Sequence, residues 1–158
     1  MPKEKFVDPR TPFRSARPET HEEWQARMGD EVLAVVRSEL YLDFRFLDMA
    51  LSALTPVPDE MCRVLATDGQ TLYYQPSALL RLYRQNPKYL SRLYLHTVLH
   101  CVFRHLWLRG RREKELWYLA CDIAVENVID SLNRKSVQRP LTYVRQNAYR
   151  QIDRKSVV

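Results

Sequence analysis

The chain has 158 residues, of which 46% are hydrophobic and 28% charged, and its formal net charge is +6. This length fits one domain with a real core. No run of about 18 apolar residues and no N-terminal signal core is present, so we expect a cytoplasmic protein without membrane association. With only three glycines, the chain holds no phosphate-binding or dinucleotide-binding loop, which makes nucleotide cofactors of those kinds unlikely partners.

The first predicted element after an N-terminal arm is a long helix. Residues 1–19 combine four prolines with mixed charges and predict a flexible arm. Thr20 and Glu23 have the spacing of a capping box, and apolar residues recur with helical period through about Leu42. A second helical pattern covers residues 43–54 and stops at the prolines that follow. Both helices are expected to serve the core.

One small β-hairpin is predicted in the middle of the chain. Met61–Ala66 is short and apolar, Asp68-Gly69 is a turn signature, and Thr71–Gln75 is rich in strand formers. Helical patterns follow at residues 78–85, 88–108 and 113–132, the second of which is apolar almost all round. These patterns predict a helix-dominated α+β fold with a central buried helix, in one domain over residues 20–132.

Three of the four histidines lie in one ten-residue stretch of the predicted central helix. His96 and His100 are four residues apart, so their side chains lie roughly 40° apart on one helix face. This is the geometry of a two-histidine metal clamp, since zinc binds neutral imidazoles and needs further ligands. His105 would point about 140° away from His100 on an unbroken helix, and it joins the pair only if the helix ends or bends after His100.

Carboxylates on the last predicted helix could complete the site. Asp122 lies on an apolar segment where an unpaired charge would be costly, and Glu126 follows one turn later on the same face. They meet the histidines if the two helices pack antiparallel through residues 109–113. Two alternatives remain open, because core histidines are often only hydrogen-bonded and both carboxylates could pair with arginines of that link. The three cysteines suggest reduced core thiols; Cys101 and Cys121 are weaker candidates for ligands.

Residues 48–130 resemble the metallopeptidase-like domain found in bacteria upstream of a von Willebrand factor A-like domain. The resemblance rests on the following residues: Ala66-Thr67-Asp68-Gly69, Leu72-Tyr73-Tyr74, Pro76, His96-x-x-Leu99-His100, His105, Leu116-Trp117 and Ala120-x-Asp122. It implies a zincin-like fold, a zinc ion bound by His96 and His100, and either Asp122 or His105 as a further ligand. It also implies peptide or protein substrates and a von Willebrand factor A-like partner.

The chain departs from that family at the residue after the first histidine. Thr97 stands where the H-E-x-x-H motif has the glutamate that activates the zinc-bound water, and threonine cannot take a proton at neutral pH. The site is therefore either catalytically degenerate or served by another base. We hypothesise that Glu126 replaces the missing carboxylate.

The last segment, residues 133–158, is basic and supplies most of the net charge. It suits a solvated tail or a linker to a further domain, and nucleic acid is a less favoured partner. Two alternatives to a peptidase follow. One is a non-catalytic protein-interaction module. The other is a metal-dependent endoribonuclease, because the H-x-x-x-H motif also resembles that of a bacterial ribosome-maturation endoribonuclease family, whose third histidine lies one residue further away.

Overall fold

A computed structural model describes residues 17–138 of the chain. Its elements are α1 (His21–Asp43), α2 (Asp48–Ser52), β1 (Thr55–Pro58), β2 (Leu65–Thr67), β3 (Thr71–Tyr74), α3 (Pro76–Gln85), α4 (Pro87–Val102) and α5 (Lys114–Leu132). The predicted helix-dominated α+β fold is confirmed for these residues. Most of the predicted N-terminal arm and of the basic C-terminal segment lies outside them.

The first helix begins where its capping residues predict. The Thr20 hydroxyl accepts a hydrogen bond from the backbone N–H of Glu23, and the Glu23 carboxylate accepts one from the backbone N–H of Thr20. These reciprocal bonds satisfy two amide groups that a helix start leaves without partners. The buried face of α1 carries Val32, Leu33, Val36 and Leu40.

The predicted helix over residues 43–54 is wrong in its first half. Phe44 leaves the helical conformation, with φ −131° and ψ 52°, and its side chain is fully buried. A short 3-10 turn over Arg45–Leu47 then leads into α2. The chain thus bends at Phe44, where the ring enters the core, and no single helix continues from Asp43 to Leu54.

The sheet has three strands, one more than predicted. β3 is central, with β2 antiparallel on one side and β1 parallel on the other. β1 was missed because Pro56 and Pro58 look like a helix stop, yet proline is tolerated on an edge strand that needs few backbone donors. The predicted hairpin is present, although its first strand is Leu65–Thr67 rather than Met61–Ala66. In its turn, Asp68 accepts hydrogen bonds from the backbone N–H groups of Gln70 and Thr71.

Helix α4 is the central helix, but it ends earlier than predicted. Its buried residues include Leu90, Tyr94, Leu95, Val98 and Leu99. The helix stops at Val102, and Arg104 then adopts the left-handed region with φ 58°. The apolar residues that suggested a continuation to Leu108 are therefore in turns, and Leu106, Trp107 and Leu108 are exposed.

Helix α5 returns along α4 after residues 103–113. Its start is capped by the Glu113 carboxylate, which accepts hydrogen bonds from the backbone N–H groups of Glu115 and Leu116. Cys121, Val125 and Ile129 form its buried face. Over residues 17–138, no helix is long and apolar enough to cross a bilayer.

The core around α4 predicts one stability difference. Leu95 is fully buried, so L95A should lower the free energy of unfolding by about 2–5 kcal/mol through lost burial and a residual cavity. Leu42 has 69% of its surface exposed, so L42A should change the free energy of unfolding by less than about 0.5 kcal/mol. Urea unfolding of both variants measures the difference, and equal losses would contradict this arrangement of the core.

Candidate metal centre

Two imidazole nitrogens and one carboxylate oxygen converge between α4 and α5. The Nε2 atoms of His96 and His100 lie 2.9 Å apart. Asp122 Oδ1 approaches from α5, 3.1 Å from Nε2 of His100 and 3.5 Å from Nε2 of His96. Among residues 17–138, these three side chains form the group of His, Cys, Asp and Glu residues with ligand atoms close enough to share one metal ion.

The spacing and chemistry of these atoms fit a zinc ion. A tetrahedral site with bonds of about 2.0–2.1 Å separates its ligand atoms by about 3.3–3.4 Å, close to the observed 2.9–3.5 Å. Imidazole nitrogen and carboxylate oxygen are both common zinc ligands. When both Nε2 atoms are unprotonated, three acceptors face one another without a donor, and a cation would relieve that conflict.

The other nitrogen of His96 is held by Glu126. Its Nδ1 atom lies 2.8 Å from Glu126 Oε1, on the opposite side of the ring from Nε2. A carboxylate at this distance favours the proton on Nδ1, which leaves the Nε2 lone pair directed at the group of three atoms. Pairs of this kind orient histidine ligands in metal sites.

His105 contacts His100 but is not one of the three converging residues. Since α4 ends at Val102, the chain turns back and brings His105 Nδ1 within 3.3 Å of His100 Nδ1. The Trp117 indole fixes this turn by donating a hydrogen bond to the backbone carbonyl of His105. The condition set by the sequence, a helix that ends after His100, is therefore met. His105 nevertheless lies beside the far nitrogen of His100, so Asp122 is the closer candidate for the third ligand.

A buried arginine stands behind Glu126. The Arg92 side chain is only 3% exposed. Its Nε and Nη2 atoms donate to Glu126 Oε2 at 3.0 and 2.6 Å. Nη2 also donates to Asp130 Oδ1 at 2.6 Å, and Nη1 donates to the carbonyl of Val137 at 3.0 Å. Arg92 was not predicted as a site residue, although it lies four residues before His96, on the same row of the helix.

The chain matches one known protein family over most of its length. Residues 33–155 match the family described as "Putative metallopeptidase domain". The chain belongs to this family. Searches of curated proteins and of solved structures gave no match.

In this metallopeptidase-family domain, Asp122 is exposed, whereas Glu126 is partly buried. Asp122 was expected to point into apolar surroundings, but its side chain is 55% exposed, because the first half of α5 extends along the surface. The role of Glu126 as a water-activating base stays a prediction. Its contacts with His96 Nδ1 and with Arg92 are those of a residue that holds a ligand in place.

The position of the motif glutamate holds a hydroxyl that is already hydrogen-bonded within its own helix. Thr97 is buried, and its hydroxyl donates a hydrogen bond to the backbone carbonyl of Leu93. The nearby thiols of Cys101 and Cys121 do not belong to the group of converging ligand atoms, and burial raises the pKa of both. All three cysteines are unpaired.

Burial favours the neutral form of His100 and His105. Burial, followed by the proximity of His96, lowers the pKa of His100 from 6.5 to about 4. Burial is also the main cause that lowers the pKa of His105. Neutral imidazole is the form that binds a metal.

This shift predicts a pH dependence of stability in the metal-free protein. Because the pKa of His100 is lower in the folded state, its contribution to stability is complete above pH 6.5 and is lost as the pH falls toward 4. The loss should reach up to about 3 kcal/mol. Urea unfolding at several pH values should show that the free energy of unfolding falls less for H100Q than for wild type as the pH is lowered over this range. Parallel curves for the two proteins would contradict the buried, neutral state of His100.

Proposed function

We propose that this chain is a zinc-binding metallopeptidase-like domain, with His96, His100 and Asp122 as its protein ligands. The observation that carries the proposal is the convergence of two Nε2 atoms and one carboxylate oxygen within 3.5 Å of one another. A bound zinc ion would supply Lewis acidity toward a carbonyl group and toward water. The family membership favours peptides or proteins as substrates.

The residues around the three ligands have separate tasks in this proposal. Glu126 holds His96 by its Nδ1 atom, and His105 stands at the Nδ1 atom of His100. Both contacts lie on the far side of the rings from Nε2, so they orient the ligands without occupying the ligand positions. The exposure of Asp122 leaves one side of the group open to solvent and to a substrate.

A second candidate is a domain that binds zinc but does not hydrolyse peptides. Thr97 favours it, because the position that carries the base in H-E-x-x-H holds a buried hydroxyl that is already hydrogen-bonded. In this case the domain acts through protein association, with a von Willebrand factor A-like protein as the partner implied by the family resemblance. The endoribonuclease alternative rests on the resemblance of the H-x-x-x-H motif. Its independent support is the basic C-terminal segment, most of which lies outside residues 17–138.

A cytoplasmic location is part of the proposal. It is supported by the three cysteines, all of which are free thiols. An oxidising compartment would favour an even number of paired cysteines in a domain of this size.

Metal content tests the proposed site directly. Wild-type protein purified with zinc available should contain about one zinc per chain by elemental mass spectrometry. H100A should lose it, because a ligand atom is removed. H21A is the matched control, since His21 lies at the start of α1 and stacks on Trp24, and it should keep its zinc. Equal zinc in wild type and H100A, or none in wild type, would overturn the proposal.

Peptide hydrolysis by wild type separates the two candidate functions, and hydrolysis by E126Q tests Glu126 as the base. If Glu126 is the base, E126Q should abolish peptide cleavage even at saturating zinc, because an amide cannot accept the proton. The assay compares zinc-loaded wild type, E126Q and H21A on one peptide library, with H21A as the matched control variant. Cleavage by zinc-loaded E126Q at the wild-type rate would exclude Glu126 as the base. No cleavage by zinc-loaded wild type would favour the non-catalytic domain.

A further inference from the structure

Arg92 is an ionised side chain in the middle of the helix that carries the histidines. It is 3% exposed and lies between Glu126, Asp130 and the carbonyl of Val137. Burying such a cluster is costly, and well-packed apolar residues often stabilise a core equally well. Stability alone is therefore a weak reason for a buried arginine here, and the position of Arg92 beside the metal centre suggests another.

The contacts of Arg92 fix the direction of the Glu126 carboxylate. Two of its nitrogens donate to the same oxygen, Oε2, at 3.0 and 2.6 Å. The other oxygen, Oε1, lies 2.8 Å from His96 Nδ1. A guanidinium group has five donors in a rigid plane, so it restrains both the position and the rotation of the carboxylate.

We propose that Arg92 is a positioning residue of the metal centre, which holds Glu126 so that His96 carries its proton on Nδ1 and presents Nε2 to the metal. The inference rests on the proposed function in that it takes His96 to be a zinc ligand. Arg92 itself does not touch the three converging atoms. It acts through Glu126, as outer partners of histidine ligands do in metal sites.

Lysine at this position separates the charge of Arg92 from its geometry. R92K keeps the positive charge but has a single nitrogen, which cannot hold Glu126, Asp130 and Val137 in the same way. Y94F is the matched control, because Tyr94 is a buried residue of the same helix whose hydroxyl donates to the backbone carbonyl of Leu51, away from the site. Both changes remove buried hydrogen bonds made by a side chain of α4, but only R92K changes the hydrogen bonds that Glu126 accepts.

Zinc affinity of the full chain, measured by competition with a chromophoric chelator, tests the proposal. R92K should bind zinc about 10–100-fold more weakly than wild type, as is usual when the outer partner of a ligand is altered. Y94F should bind within about threefold of wild type. Equal zinc affinity in R92K and wild type would overturn the inference.

The tautomer of His96 gives a readout that a merely structural role would not change. In metal-free protein labelled with 15N-histidine, NMR should show the Nδ1–H form of His96 in wild type and Y94F, and a shift toward Nε2–H in R92K. Weaker zinc binding by R92K with an unchanged His96 tautomer would overturn the inference. If R92K does not fold, R92Q/D130N replaces it, since it leaves the summed charge of Arg92, Glu126 and Asp130 unchanged; the same two results are expected.

The two proposals fail in different ways. Absence of zinc from wild type would contradict the proposed function, whereas the tautomer measurement on metal-free protein would still decide whether Arg92 sets the tautomer of His96 through Glu126. If wild type binds zinc and R92K has the same zinc affinity and the same His96 tautomer, only the role of Arg92 is contradicted.

Discussion

The contact between Glu126 and His96 joins the two helices on which the metal centre depends. Glu126 Oε1 lies 2.8 Å from His96 Nδ1, while Oε2 accepts two hydrogen bonds from buried Arg92. One carboxylate thereby connects a charged group of the core with the ring that faces Asp122. Since buried polar groups need partners, α5 is restricted to a position on α4 where these contacts are satisfied. The same position brings Asp122 to the Nε2 atoms of both histidines.

The site repeats one spacing on both helices. Arg92, His96 and His100 follow each other at intervals of four residues on α4, and Asp122, Glu126 and Asp130 do so on α5. Because the helices are antiparallel, Arg92 meets Glu126 and Asp130, and His100 meets Asp122. The apolar faces of α4 and α5 pack against each other, and the contacts between the two polar rows determine how the helices align along their length. Packing and chemistry are thus determined by the same pair of helices.

Local sequence signals predicted the parts of the fold that depend on neighbouring residues. The capping box of Thr20, the Asp68-Gly69 turn and the two histidines at i and i+4 all act within a few positions along the chain. The errors concern tertiary context. Phe44 leaves its helix to enter the core, Pro56 and Pro58 are accepted on an edge strand, and α4 ends at Val102 although apolar residues continue. Arg92 was missed because its partners lie 34 to 45 residues away.

The most direct test of the central claim is a crystal structure of the zinc-loaded full chain, with anomalous diffraction recorded at the zinc absorption edge. We predict one anomalous peak between α4 and α5, bonded to Nε2 of His96, Nε2 of His100 and a carboxylate oxygen of Asp122, with Glu126 still on Nδ1 of His96. A peak bonded to His105 or Cys101 in place of Asp122 would contradict the ligand assignment. The absence of a peak between these helices would contradict the metal centre itself.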